Sequence, residues 1–274
     1  MTLFSELNEL MVRYRFKPSP KLSQNFLINE KAISEIVEKA GISKKDTVLE
    51  IGGGTGFITA ELAKTCQKVI CVETDQRLFS LLEERFGDSQ NVELIHADFL
   101  KALLPQFSKV VSAPPYHIST DLMYRLFELG FEDAYLVMQK EFVERLIAEP
   151  GFFDYNALSV ITQYYCKTKI VLKVSPSSFF PRPSGESALI HLKFKKRFGS
   201  AKNDALFIGF VNQLFRYKNK SIANSLQLAW QFLNPKPKIE MAAAKEKIGR
   251  KKIAVEKTYA LSAKDFVDLF NELY

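Results

Sequence analysis

Val48-Leu-Glu-Ile-Gly-Gly-Gly-Thr-Gly-Phe-Ile-Thr59 is an apolar run that ends in an acid and then breaks into glycine. It reads as a buried strand delivered into a tight turn, with a helix starting near Phe57. Gly52, Gly53, Gly54 and Gly56 permit positive φ and leave room for a ligand to lie against the main chain. Taken alone, the pattern also fits a β-to-α turn with no ligand.

Two classes of nucleotide-binding turn are distinguishable here. A dinucleotide site wants a third glycine for tight helix packing beneath a pyrophosphate, and this chain has Phe57 at that position. S-adenosylmethionine carries no phosphate, so its turn needs backbone room more than a helix dipole aimed at an anion. The next strand, Lys68-Val-Ile-Cys-Val-Glu73, ends in a carboxylate about twenty residues past Gly52. That is where a βαβ unit places the acid that holds ribose hydroxyls, so Glu73 is the expected ribose ligand. A third strand, Val92-Glu-Leu-Ile-His-Ala-Asp98, ends in another acid suited to accept from an adenine amino group. Open α/β sheets bind ligands at such carboxyl ends.

Composition sets bounds. The 274 residues, 47% hydrophobic and 25% charged, suffice for one large domain or a domain with an appendage. No apolar stretch reaches membrane-spanning length and the N-terminus lacks signal-peptide character, so a soluble, cytoplasmic protein is expected. Cys66, Cys71 and Cys166 have no C-x-x-C spacing, and the three histidines are scattered, so neither a disulfide framework nor a metal site is expected. The net charge of +7 is uneven: residues 195–274 hold 16 Lys and Arg against 7 Asp and Glu, and residues 1–194 hold 22 against 24. A local excess of this kind suits a polyanion, and a solvated charged face is the plainer alternative.

Residues 1–21 combine an amphipathic stretch, Leu3 to Val12, with a basic, proline-containing segment, Arg13 to Lys21, expected as an exposed arm. Asn29 caps an expected helix over 30–40 that Gly41 ends. Strands over 48–51, 68–73, 92–96, 109–113 and 134–138 alternate with helices near 57–65, 76–86 and 119–129. Helices near 140–148 and 156–165 precede strands at 169–174 and 187–194. The pattern predicts an α/β fold with a mostly parallel, seven-stranded sheet and an antiparallel end. Helical patterns over 204–217, 221–233 and 262–273 predict a small all-helical C-terminal domain. The expected organisation is an arm over 1–21, a ligand-binding domain over 22–197 and a helical domain over 198–274 whose charge suits a polyanion, with a boundary near residue 197.

The strand Lys109-Val-Val-Ser-Ala113 runs into Pro114-Pro-Tyr116. An adenine amino nitrogen is a poor nucleophile because its lone pair is delocalised into the ring. A site that methylates it needs acceptors for its N–H groups and an aromatic face for the extruded base. A rigid Pro114-Pro115 turn leaves carbonyls available, and Tyr116 offers a stacking surface. The structural alternative is a turn that merely closes a loop.

These features resemble the small-subunit ribosomal RNA adenine dimethyltransferase family. The resemblance covers most of residues 21–195 and rests on Gln24-Asn-Phe-Leu27, Glu50-Ile-Gly-Gly-Gly-Thr-Gly56, Glu73, Asp98, Pro115-Tyr116-His-Ile-Ser119, Met138-Gln-Lys-Glu141, Tyr155 to Val160 and Phe179-Phe-Pro-Arg-Pro183. It implies a Rossmann-like class I methyltransferase fold and transfer from S-adenosylmethionine to N6 of two adjacent adenosines near the 3′ end of small-subunit RNA during ribosome biogenesis. It also implies a cofactor site of Asn25, Leu27, Gly52, Gly54, Glu73, Asp98 and Ala113. The catalytic group would be Ala113, Pro114, Pro115, Tyr116 and Phe179, with Phe179 stacking opposite Tyr116. The implied partners are the small ribosomal subunit and its RNA, bound by a monomer without membrane or metal.

The family opens its catalytic turn with Asn, or Asp in wider relatives, where this chain has Ala113. A side-chain acceptor is thereby lost, with Ser112 as one source of compensation. The departure implies reduced activity, and its alternative is a catalytically weakened assembly factor that keeps the fold. A large-subunit or DNA target and a Rossmann oxidoreductase rank below these.

Overall fold

The computed structural model describes residues 2–195 and 200–274. The chain forms two compact units, Met1–Val143 with Thr168–Phe194, and Glu144–Lys167 with Lys195–Tyr274.

The first unit carries β1 (Phe26–Leu27), β2 (Thr47–Ile51), β3 (Lys68–Glu73), β4 (Val92–His96), β5 (Lys109–Ser112), β6 (Asp133–Gln139), β7 (Cys166–Val174), β8 (Phe179–Phe180) and β9 (Ser187–Phe194). Its helices are α1 (Leu3–Arg13), α2 (Glu30–Ala40), α3 (Phe57–Thr65), α4 (Gln76–Phe86) and α5 (Ser119–Leu129), followed by α6 (Lys140–Ile147), which runs on across the unit boundary. Seven strands form one sheet in the order β4-β3-β2-β5-β6-β9-β7. The pairs β3–β4, β2–β3, β2–β5 and β5–β6 are parallel, and β6 pairs antiparallel with β9. The expected architecture is thus observed. Sequence order runs outward in both directions from β2 and β5, so the switch point that open α/β sheets use for binding lies between them. Val48, Leu49, Val69, Ile70, Val110 and Val111 are fully buried, as strands covered on both faces require.

Local chemistry fixes the flanking helices. The Asn29 side chain accepts from the amide of Ala32, and Gly41 ends α2 at φ +56°. Asp75 accepts from Arg77 N–H and starts α4 immediately after β3. The shape of the glycine turn is steric as well as conformational. A Cβ at Gly53 would lie 2.2 Å from Cys71 Sγ and 2.9 Å from Leu82 Cδ1. Both side chains are fully buried and have nowhere to move.

The N-terminal segment departs from the expected exposed arm. Thr2 caps α1, Leu7 is fully buried, and Arg13 and Tyr14 both bond to Glu84 on α4. Phe16 is also buried, edge-on to Phe26 at 5.8 Å. Phe16 anchors the segment that the prolines and basic residues suggested would be exposed, while Arg13, Arg15 and Lys17 remain exposed.

The second unit holds α7 (Ala157–Tyr165), α8 (Asp204–Phe215), α9 (Ile222–Ala229), α10 (Met241–Gly249) and α11 (Ala263–Leu273). Its core is aromatic: Tyr164 packs on Phe207, and Phe207 and Phe210 on Phe270. The Tyr164 hydroxyl donates to Asp204 and accepts from the amide of Ala201, and Tyr155 donates to the Leu261 carbonyl. The expected division between 22–197 and 198–274 placed Glu144–Lys167 in the first domain; contact assigns it to the helical unit, because α7 packs on α8 and α11. The boundary expected near residue 197 lies outside the described residues. Among the described residues, no helix is long and apolar enough to cross a membrane.

Substituting Gly53→Ala overpacks a rigid site, whereas Gly41→Ala meets open space and strains only a positive φ. Gly53→Ala should cost about 1–3 kcal/mol or more and Gly41→Ala about 1 kcal/mol. Thermal unfolding should therefore show the larger midpoint shift for Gly53→Ala.

Candidate active site

A cavity of about 300 Å³ opens within the first unit at the carboxyl ends of β2, β3 and β5, and its walls include Asn25, Gly52, Glu73, Asp98, Tyr116 and Phe179. Gly54, Ala113, Pro114 and Pro115 also reach it. The structure therefore brings together all but one of the expected site residues. The exception is Leu27, which is buried in the core and paired with Phe179 across β1 and β8. Phe26 lines the cavity instead, at the end of a run from Leu22 that borders it. The β1–β8 pairing also explains how segments about 150 residues apart in sequence share one wall.

The glycine turn and the proline turn pack against each other. Gly52 has φ +77°, and a Cβ there would sit 3.1 Å from Cδ of Pro115. Glycine is needed here both for the backbone conformation and for the approach of the proline ring. Adjacent strands β2 and β5 deliver the two turns side by side.

Glu73 is buried at the end of β3, and its carboxylate is held by backbone alone. Oε1 accepts from the amides of Thr74 and Asp75, each at 2.8 Å, and Oε2 accepts from the amide of Gly54 at 2.9 Å. Burial pushes its pKa above the ordinary value, and the three amides pull it back without cancelling the effect. A carboxylate oxygen can accept two hydrogen bonds and Oε2 accepts one here, so the group is fixed yet still able to receive a ligand hydroxyl. Asp98 is more exposed and accepts from the amide of Leu100 at 3.0 Å.

Behind the turn lies a second buried acid. Glu50 accepts from the Thr59 hydroxyl at 2.6 Å, and burial, reinforced by the charge of Glu73, pushes its pKa up to about 8 despite that bond. Glu50 is therefore largely protonated at neutral pH and adds little negative charge beneath the cavity. Its position within the glycine motif is the sequence signal for it.

The proline turn leads into a short 3₁₀ segment, Tyr116–Ile118. The Ser119 hydroxyl donates to the Tyr116 carbonyl at 2.8 Å, and the Tyr116 phenol shares a 2.8 Å hydrogen bond with Ser187. Burial raises the Tyr116 pKa. Ser112 does not supply the acceptor that Ala113 lacks: it is fully buried and donates to the Ile51 carbonyl at 2.6 Å. Strand alternation turns it toward β2 rather than the cavity. A second cavity of about 380 Å³, walled by Pro18, Pro181, Pro183, His117 and Gln139, shares Asn25 and Tyr116 with the first.

The residues fit S-adenosylmethionine. A fixed acid, a glycine-lined wall and the apolar surface of Leu78 and Phe99 suit a nucleoside, and the cavity lies at the lower end of small-molecule pocket sizes. Among the described residues, no group of three or more His, Cys, Asp or Glu is placed to hold a metal ion.

The profile of the family described as ribosomal RNA adenine dimethylase matches residues 15–272. Ribosomal RNA small subunit methyltransferase A of Clostridium botulinum is 39% identical over 228 residues, which are 80% of this chain and 83% of that protein. The protein of the same name from Clostridium perfringens is 38% identical over 226 residues, 79% of each chain. Among solved structures, a dimethyladenosine transferase from Plasmodium falciparum superposes with a TM-score of 0.79 at 27% identity, covering 90% of this chain and 96% of that one. The 23S rRNA methyltransferase ErmE gives 0.66 at 27% identity, covering 91% and 99%.

Glu50 provides a pH test of this electrostatic description. Its folded-state pKa lies above the ordinary 4.5, so as pH rises the unfolded chain releases this proton first. Its contribution to stability is full below about pH 4.5 and declines as pH rises through about 8, by on the order of a few kcal/mol. Glu50→Gln should flatten that decline, read as denaturation midpoints between pH 5 and 8.

Proposed function

This chain belongs to the ribosomal RNA adenine dimethylase family, and we propose that it transfers methyl groups from S-adenosylmethionine to N6 of two adjacent adenosines near the 3′ end of small-subunit ribosomal RNA. The observation that carries the proposal is one cavity whose walls include Gly52, Glu73 and Asp98 together with Pro114, Pro115, Tyr116 and Phe179. Relatives named for the small subunit match at 38–39% over about four-fifths of the chain, and at the same 27% identity the dimethyladenosine transferase superposes better than the 23S methyltransferase, 0.79 against 0.66, which supports a small-subunit target.

Glu73 binds the ribose hydroxyls, Asp98 the adenine amino group of the cofactor, and Asn25, Gly52, Gly54 and Ala113 border it. When bound, S-adenosylmethionine supplies a methyl group activated by its sulfonium. Tyr116 and Phe179 hold the extruded target base between their rings. The Pro114 carbonyl accepts from its amino group and helps the nitrogen lone pair leave conjugation with the ring. No side chain is needed as a strong base, because the methylated amine releases its proton readily to water. Catalysis is then positioning and electrostatics.

The positive charge of residues 195–274 and of the Arg13-to-Lys21 segment supplies RNA-backbone affinity. The second cavity, with its proline walls beside Tyr116, is the approach for the RNA strand. The protein acts as a cytoplasmic monomer during assembly of the small subunit.

Ala113 lowers the rate without abolishing it, since every other wall of the cavity is retained. A pure assembly factor has no need for the buried, amide-held carboxylate of Glu73. Incubation with labelled S-adenosylmethionine and small subunits lacking the modification should give dimethyladenosine at two adjacent positions; label absent from the RNA contradicts the proposal. Ala113→Asn should raise the transfer rate by on the order of 10²-fold. Glu73→Gln should weaken cofactor binding roughly 10- to 100-fold by calorimetry, the effect of weakening charge-assisted hydrogen bonds.

A further inference from the structure

Tyr116 is held at both ends. Its carbonyl accepts from Ser119 within the 3₁₀ turn, which fixes the backbone. Its phenol reaches across to Ser187, 71 residues later in sequence, at 2.8 Å. Ser187 is almost fully buried, opens β9, and pairs with Gln139 at the end of β6. The β6–β9 ladder holds seven paired residues, Asp133↔Lys193 through Gln139↔Ser187, so the serine sits on a rigid support.

We infer that Ser187 is a positioning residue for methyl transfer: it holds the far end of the Tyr116 ring, and with it the place of the face on which the target adenine stacks. This rests on the reading of Tyr116 as the stacking face. The phenolic oxygen lies on the axis about which the ring itself turns, so this hydrogen bond leaves the broad well of the second side-chain torsion untouched. What it removes is the swing of the whole ring about the Cα–Cβ bond, the motion that carries the stacking face toward or away from the methyl donor. Because methyl transfer needs the amino nitrogen in line with the donor, a displacement of about 1 Å costs up to on the order of 10²-fold in rate. Ser187 does not itself line either cavity, so its action passes through Tyr116.

The test is a double-substitution cycle on the full chain. Ser187→Ala, Tyr116→Phe and the double variant are compared in single-turnover methyl transfer to unmodified small subunits at saturating S-adenosylmethionine. Each single substitution should slow transfer by on the order of 10-fold with cofactor affinity unchanged, and the double should be no slower than the slower single, because one hydrogen bond is removed in all three. Losses that multiply, or a Ser187→Ala variant at full rate, overturn the inference. NMR relaxation of ¹³C-labelled tyrosine rings reads the same contact without substrate: the Tyr116 ring should be ordered in the original chain and less ordered in Ser187→Ala. A ring equally ordered in both also overturns it. Absence of methyl transfer by the original chain defeats the functional reading alone, since the ring measurement still decides the role of Ser187.

Discussion

The approach of Pro115 to Gly52 is the contact on which the rest of the site depends. A Cβ at Gly52 would come within 3.1 Å of the proline ring at a backbone φ of +77°, so a side chain there would press on the ring and strain the turn that meets it. That closure places the glycine turn and the proline turn on the same 300 Å³ cavity. Neither turn does chemistry alone. Parallel pairing of β2 and β5 at the switch point of the sheet supplies the spacing, and the fully buried strands beneath supply the rigidity.

Charge is arranged to match. Two carboxylic acids occupy the base of the cavity region, and their environments separate their roles. Glu73 receives three backbone N–H groups and borders the cavity, whereas Glu50 is fully buried, which holds its proton on up to about pH 8 despite the Thr59 hydroxyl. A neutral Glu50 limits repulsion against Glu73 and spares the site a second uncompensated charge. A pre-formed, amide-held acceptor lowers the ordering cost of ligand binding.

What the sequence made legible follows the range of the forces involved. Helix caps are local: Asn29 and Gly41 act through neighbours a few residues away, and their readings hold. Long-range pairings were less legible. The exchange of Leu27 for Phe26 at the cavity depends on how β1 pairs with β8. Ser112 looked available until its bond to Ile51 was seen. Ser187 carries no motif, since a serine opening a strand is unremarkable unless Tyr116 lies across from it. The helical unit recruits Glu144–Lys167 through packing of α7 on α8 and α11, a pairing that composition shifts near the chain's basic region do not signal.

A crystal structure of the chain with S-adenosylhomocysteine measures the central claim most directly. The ribose hydroxyls should lie on Glu73, the adenine beside Asp98, and the sulfur should face the Ala113–Tyr116 turn. A nucleoside bound elsewhere on the molecule, or one whose sulfur points away from that turn, would contradict the account.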